Sequence, residues 1–409
     1  MNDKNLKDHK QIGQEQELFF SHDYAPGAPF WLPKGMIIFK ELERYIREIT
    51  EKGGYQEIST PIMVKSQLFK ESGHWTKFGE HNMYNLILSD ENDDSKGISY
   101  TLKPMNCPEA TIAYRFRPRS YKELPLRLSE IGRLHRREKS GEVNGLLRVR
   151  QITMDDAHIF ATENQVLSEI EKILDMMISF YNSFGFEYKF MLATRPETFA
   201  GTKEGWGKAE KDLEKALESK KLKYEIKNKD GAFYGPKIDV HIKDSLNRDW
   251  QLATVQLDFH MPEAFKLKYI DNSGKAKQPV MIHRAIFGSF ERFLGILTEH
   301  YQGAFPLWLS PVQLVIIPIA DRHAEIAHRY ARELAKEGIR VEVDDRAETM
   351  QNKIRQATLQ KVPYMGIIGD KENENKNCLA IRARDGKDLG QLNLSHLVKR
   401  VKEEIDKKI

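Results

Sequence analysis

Cysteine is scarce in this chain: 409 residues contain two, Cys107 in LKPMNCPEATIAY and Cys378 in NKNCLAI. Two thiols so far apart exclude a disulfide framework and suit a reducing, cytoplasmic setting. Long apolar runs are missing as well. None reaches the roughly 18 residues that a transmembrane helix requires, so no membrane partner is expected. The opening MNDKNLKDHKQ has neither the apolar centre of a secretory signal nor the acid-poor, Arg-rich character of a transit peptide. An excess of one charge is also lacking. Lys and Arg number 64 against 60 Asp and Glu, a formal net charge of +4, which permits contact with nucleic acid without arguing for it. Internal repeats and long low-complexity tracts do not occur, and SDENDDSKG reads as the solvated tip of a hairpin.

What is present is a globular composition, 40% apolar and 30% charged, in a chain long enough for two or three domains. In FWLPKGMIIFKELERYIREITEKGG, apolar residues recur at helical spacing, Pro33 suits the first turn and Gly53-Gly54 ends the helix. YQEISTPIM then reads as a strand stopped by Pro61. Alternation in GISYTLKP, LPLRLSEIGRLHR, GLLRVRQITMDDAHIF, FEYKFMLAT, GPKIDVHIKDSL and DWQLATVQLDFHM predicts half-buried antiparallel strands. Helices are expected in ENQVLSEIEKILDMMISFYNSFG and EKDLEKALESKK. The fold class that follows for residues 1–307 is α+β, an antiparallel β-sheet flanked by helices. Near FPLWLSPVQ the pattern changes to alternating strand and helix: VQLVIIPIA, HAEIAHRYARELAKEG, RVEVDD, ETMQNKIRQATLQK and YMGIIGD, then CLAIRAR and a last helix from about Leu394. Residues 308–409 are expected to form a small α/β domain.

Three local patterns carry chemistry. Cys107, on a predicted turn between Asn106 and Pro108, can be an idle buried thiol, a nucleophile or one ligand of a metal. In LHRREKSGEVNGLLRVRQITMDDAHIF, Arg136 and Glu138 alternate with Arg137 and would share one face of an extended arm. An arginine fork suits phosphate or carboxylate, and the acid beside it can accept from an adenine amino group; a plain surface ion pair is the alternative. In MIHRAIFGSFERFLGILTEH, Gly288-Ser289 breaks a strand and Arg292 falls on the first turn of the next helix, beside amides that favour anions. A solvated charge is the alternative there. No CxxC or HxxxH spacing marks a metal site, so spacing leaves the role of Cys107 open.

Taken together and in order, these stretches resemble the three signature motifs of the class II aminoacyl-tRNA synthetases. The first is a helix and strand ending in Pro61 at a dimer interface, which implies a homodimer. The second is a strand–loop–strand with Arg136 and Glu138, and the third a strand and helix with Gly288 and Arg292. KPMNCP, GHW, DDAHIF, FYGPKID, TVQLDF and HRAIFGSFERF narrow the resemblance to the catalytic domain of the threonyl-tRNA synthetase family. PYMGIIGDKE and RDGKDLG are similar to that family's anticodon-binding domain, and the likeness runs from about Asp8 to the end.

The resemblance implies one Zn2+ per subunit, held by Cys107, His158 and His283, that binds L-threonine through its amino nitrogen and hydroxyl. It implies ATP with Mg2+, a threonyl-adenylate intermediate and tRNA(Thr) as acceptor. Arg136, Lys237, Arg292 and His74 are then the catalytic candidates; His74 would move a proton in the transfer step or pack beside Trp75. Arg136, Glu138, Arg148, Ile152, Gln251, Thr254 and Arg292 would bind ATP. Met105, Asp156, Tyr234 and Gln256 would line the threonine pocket with Lys237. Arg346, Lys353, Arg355 and Gln356 would meet the anticodon, each being alternatively a solvated surface group.

The implied selectivity has a physical basis. Valine is nearly isosteric with threonine, and apolar packing separates such a pair only about a hundredfold, whereas a cation that demands an oxygen ligand rejects valine. Serine keeps the hydroxyl and lacks one methyl, worth only about 1–3 kcal/mol, so mischarging should need editing. No editing domain is evident in the chain, which points to a separate editing protein or a trimmed chain. Ile152 stands where the family usually stacks an aromatic on adenine, Met154 where a glutamine is common, and Gln356 where an acid is frequent. Related class II enzymes for proline or serine do not account for the Cys–His–His set. The rival from another class is a catalytically inactive, synthetase-like RNA-binding protein, against which the presence of Arg136, Arg292 and all three candidate ligands argues.

Overall fold

The computed structural model describes residues 6–88, 98–244, 246–374 and 377–408; the expected hairpin tip SDENDDSKG lies outside the described residues. Two compact units emerge. One gathers Met1–His22, Phe30–Arg44 and Gly295–Ile409, and the other Asp23–Pro29 and Tyr45–Leu294. Among the described residues up to His300, the α-helices of nine residues or more are α1 (Pro33–Lys52), α2 (Cys107–Arg115), α3 (Val166–Phe184), α4 (Lys203–Ser219) and α5 (Phe290–His300).

The larger unit is built on an eight-stranded sheet. In chain order its strands are β1 (Gln56–Glu57), β2 (Leu126–His135), β3 (Gln151–Ala161), β4 (Tyr188–Ala193), β5 (Tyr224–Lys227), β6 (Lys237–Lys243), β7 (Asp249–Asp258) and β8 (Val280–Ser289). In space they run β5-β4-β6-β7-β8-β3-β2-β1. The five inner pairings are antiparallel, as expected; the two edge pairings are parallel. Half-burial holds at the margins but not at the centre, where every residue of β8 except Ser289 is buried. One face of β8 is covered by α3, whose apolar residues recur every three or four positions. Phe180 stacks on Phe287 with ring centroids 5.4 Å apart, and the Tyr181 hydroxyl donates to the Ile286 carbonyl at 2.8 Å. The opposite face is free to line a cleft.

Two boundaries differ from expectation for local reasons. In YQEISTPIM the strand before Pro61 shrinks to the two-residue β1, because the next groups find other partners: Ile58 N–H donates to Ser129 O at 2.8 Å and Thr60 N–H to the Glu130 carboxylate at 2.8 Å. Helix α4 starts well before the expected Glu210 because the Thr202 side chain accepts from Gly205 N–H and caps it.

In the other unit, β9 (Leu314–Pro318), β10 (Val341–Val343), β11 (Tyr364–Ile368), β12 (Cys378–Ala383) and β13 (Asp388–Asn393) lie in the order β10-β9-β11-β12-β13. The first three are parallel and the rest antiparallel. Helices α6 (Ala324–Lys336), α7 (Met350–Leu359) and α8 (Leu394–Asp406) accompany this sheet, and Leu314, Ile316, Tyr330, Leu334, Leu379 and Leu397 belong to one core cluster beside it. This is the small α/β domain the alternation predicts. Edge strand β13, mostly exposed, carried too little apolar signal to be read in advance.

Candidate active site

His158 on β3 and His283 on β8 are direct cross-strand partners, so their side chains leave one face of the sheet together. Their rings sit 5.0 Å apart at 84°. Cys107 joins them from α2. It was expected on a turn and is instead the first residue of that helix, since Pro108 has no amide to satisfy at the helix start. The sulfur and the two imidazoles each offer a ligand atom, and these atoms all lie within 4.8 Å of one another. A tetrahedral zinc site with Zn–S near 2.3 Å and Zn–N near 2.0–2.1 Å spaces its donors roughly 3.5 Å apart, so small side-chain rotations close the set. His283 Nε2 lies 2.8 Å from Asp258 Oδ2, which leaves Nδ1 buried without a hydrogen-bond partner. An imidazole held by a carboxylate through one nitrogen and bare at the other is oriented as a metal ligand is. Burial pushes the Cys107 thiol well up and the His158 imidazole well down. Neutral imidazole is the ligating form, and a bound cation would draw the proton from the thiol.

These donors open onto a cleft of about 520 Å³ that His74, Met105, Arg136, Ile152, Asp156, Tyr234, Gln251, Thr254, Gln256 and Arg292 also line. Neighbouring strands order its floor. Tyr234 Oη donates to Gln256 Oε1 at 2.5 Å, Gln256 Nε2 to Thr254 Oγ1 at 3.1 Å, and Thr254 Oγ1 to buried Asp239 at 2.8 Å. Lys237 does not line the cleft; its ammonium neutralises Asp239 from beneath, at 2.6 Å. Asp156 is fixed by Asn106, whose Nδ2 donates at 2.7 Å. Gly132 makes room for that carboxamide, since a Cβ there would lie 2.3 Å from Asn106 Oδ1.

The arginines gather at one end. Arg136 Nε donates to Pro104 O at 3.0 Å and Arg292 Nε to Leu147 O at 2.9 Å. Burial, then repulsion from Arg136 and Arg148, holds the Arg292 guanidinium below the usual arginine range. An anion between them would relieve that repulsion. Arg136 and Glu138 do not share an extended face: the chain turns at Arg137, with Glu138 N–H donating to Arg136 O at 2.9 Å. Glu138 accepts from Arg148 at 2.7 and 3.0 Å, Arg148 reaches Glu142 at 2.9 Å, and neither Glu138 nor Arg148 lines the cleft. His74 is buried, with Nδ1 2.9 Å from Ser72 Oγ, and its pKa is lowered to about 4 chiefly by burial.

Sequence reasoning missed the pair of carboxylates that shapes this end. Strands β3 and β8 part between Ala285 and Ser289. Where the ladder opens, Asp155 accepts from the N–H groups of Ile286, Phe287 and Gly288 at 2.8, 3.3 and 2.8 Å. Glu291 takes Thr153 N–H through both oxygens, at 3.0 and 2.9 Å, and the Ser289 hydroxyl at 2.9 Å. Gly288 sits at φ 75°, the conformation this bulge needs from a residue without Cβ. The bulge ends in α5 and so positions Arg292. The adjacent Asp155-Asp156 was the available signal, because neighbours on a strand face opposite sides. Lys77 and Phe78 were missed too; both line the cleft from a single π-turn, Trp75–Gly79.

The anticodon candidates fall around α7. Arg346 pairs with Asp344 at 2.7 and 2.8 Å, and Lys353 is buried with Nζ 3.4 Å from Pro318 O. Arg346 and Lys353 line one hollow, Arg346 and Gln356 another, while Arg355 is exposed.

Known families agree with this architecture. The tRNA synthetase class II core domain (G, H, P, S and T) matches residues 84–301, and an anticodon binding domain matches residues 313–404. The core match takes in more than half of the chain, which belongs to the class II tRNA synthetase family. Within that family the similarity falls on threonine–tRNA ligases: 48% identity over 405 residues to the protein of Thermotoga neapolitana, and 50% over 402 residues to that of Clostridium novyi. Both alignments cover 98% of this chain and 62% of the relative, so the chain spans under two thirds of the length of these curated proteins. A crystal structure described as the RNA binding domain of threonyl-tRNA synthetase from Cryptosporidium parvum superposes with a TM-score of 0.92 at 38% identity, covering 97% of this chain and 98% of that one.

Proposed function

We propose that this chain is a threonine–tRNA ligase in which residues 1–307 activate threonine and residues 308–409 read the anticodon. The observation that supports it most is the convergence of Cys107, His158 and His283 within 4.8 Å, in a cleft that Arg136 and Arg292 share. Zinc held by those three residues would keep a position open for the amino nitrogen and hydroxyl of threonine, and so disfavour valine. Asp156, fixed by Asn106, accepts from the amino group, while Gln256 and Tyr234 bound the side-chain pocket with Met105. Arg136 and Arg292 hold the threonine carboxylate against the α-phosphate of ATP, whose Mg2+ would share the charge. In-line attack of a carboxylate oxygen on phosphorus gives threonyl-adenylate and releases pyrophosphate; such transfer rests on positioning and charge neutralisation. Ile152 covers the adenine by apolar contact, with Thr254 and Gln251 beside the nucleotide. Glu138 and Arg148 exchange their mutual pairing for ATP. Neutral His74 takes the proton of the terminal ribose hydroxyl as that oxygen attacks the threonyl carbonyl and AMP leaves. Lys237 acts through Asp239. Arg346, Lys353, Arg355 and Gln356 face the anticodon of tRNA(Thr). The working form is a cytoplasmic homodimer.

Pyrophosphate exchange tests the reading. Exchange with threonine and not with valine or proline is expected; no exchange with any amino acid, in a chain that still binds tRNA, would overturn it.

A further inference from the structure

The cleft leaves one strongly basic face of the larger unit unused. It is made by two segments, 112–123 (IAYRFRPRSYKE) and 263–271 (EAFKLKYID), which hold six cations against three carboxylates in a chain whose overall excess is only +4. The segments are joined: Ile270 N–H donates to Arg119 O at 2.9 Å, Tyr114 Oη to Lys268 O at 3.1 Å, and Arg115 to Phe265 O at 3.3 Å. Along the second segment Leu267 and Tyr269 are buried while Lys266, Lys268 and Ile270 are exposed, the alternation that sets three side chains outward. Ile112 and Arg115 on α2 and Phe116 just after it are exposed at helical spacing. Phe116 is 86% exposed, an unusual cost for a large ring on a polar surface. Glu123 already pairs with Arg117 at 2.5 Å and Asp271 with Lys277 at 3.1 Å. Lys122, Lys266 and Lys268 have no carboxylate within 4.0 Å among the described residues.

We infer that this face binds RNA, the phosphates seated by Lys122, Lys266 and Lys268 and an unpaired base stacked on Phe116. Exposed cations interleaved with a bare aromatic ring are what a polyanion with stacking bases requires. A second copy of the chain is disfavoured by charge, since an isologous contact would set like charges against like. Helix α2 links the face to the cleft: Cys107 begins it and Phe116 follows its last residue, about 13 Å along the axis. On the ligase reading, on which this inference rests for its ligand, the RNA is the tRNA whose 3′-end enters the cleft.

The experiment is a titration of labelled tRNA(Thr) transcript with the full chain at several salt concentrations, beside threonine-dependent pyrophosphate exchange without tRNA. The double variant Lys122→Glu/Lys268→Glu should weaken tRNA binding at least tenfold and lower the salt slope by about two. Phe116→Ala should weaken it about five- to a hundredfold with the slope kept. Both variants should retain full exchange. Unchanged tRNA affinity in both would overturn the inference, as would sedimentation showing that the variants dissociate a dimer. Exchange that fails in the unmodified chain would overturn the ligase reading alone, and the tRNA titration would still decide the face.

Discussion

Asp258 is the residue on which the geometry of the candidate metal donors turns. Its Oδ2 holds His283 Nε2, while its Oδ1 accepts from His260 and Met261 N–H at 2.8 and 2.9 Å, so the imidazole is anchored to backbone. Asp258→Asn keeps the shape but replaces an acceptor by an amide that can point either way. Zinc affinity measured by competition with a chelator should fall about 10–100-fold; an unchanged affinity would show that the Asp258 contact does not orient a metal ligand. His74 makes a prediction of pH. Its folded pKa, about 4, lies below the ordinary 6.5, so the unfolded chain binds the proton more tightly. The stability that depends on neutral His74 is therefore complete above pH 6.5 and is lost as pH falls toward 4. Urea unfolding of the parent and of His74→Gln should diverge across that window by on the order of 1–3 kcal/mol, with parallel curves as the contrary result. The transfer step, measured in single turnover, should stay flat from pH 8 to well below 6.

At the scale of elements, the opening between β3 and β8 would do for the proposed nucleotide end what the cross-strand histidines would do for the proposed metal. Regular pairing there would leave no room for the bulge, and the broken ladder would strand several buried N–H groups, each costing about 1–3 kcal/mol if unpaired. Asp155 and Glu291 take up four of them. Asp155→Asn removes one acceptor oxygen and adds a donor among donors. The KM for ATP should rise about tenfold or more while the KM for threonine changes little, because Asp156 faces the other side of the strand. Equal rises in both would mean that the bulge serves stability alone.

For the whole molecule, what could be read in the sequence was what a local pattern carries. Alternation gave the inner strands, helical spacing gave α3, α6 and α8, and Pro33 with Gly53-Gly54 bounded α1. The Arg292 position followed from Gly288 and the helix start beside it. The donor set has no such pattern: Cys107, His158 and His283 meet only through sheet register and the placement of α2, so spacing left it open and only the family resemblance suggested it. Likewise Glu138 and Asp155 had to be seen in three dimensions, one turned away by a local reversal and the other claimed by backbone amides. The grouping of the N-terminal segment with residues beyond Gly295 rests on contacts such as His9 Nδ1 to Glu299 at 2.6 Å, which join positions too far apart for any motif. Three remote segments tied by one cation should also couple metal to folding, since a ligand of the native state alone stabilises it by mass action.

The direct measurement is the zinc K-edge absorption spectrum of the metal-loaded chain, alone and after His158→Ala. One sulfur near 2.3 Å with two nitrogens near 2.0–2.1 Å, reduced to a single nitrogen from protein in the variant, is the predicted result. A chain that retains no zinc after dialysis, or a shell without sulfur, would contradict the account.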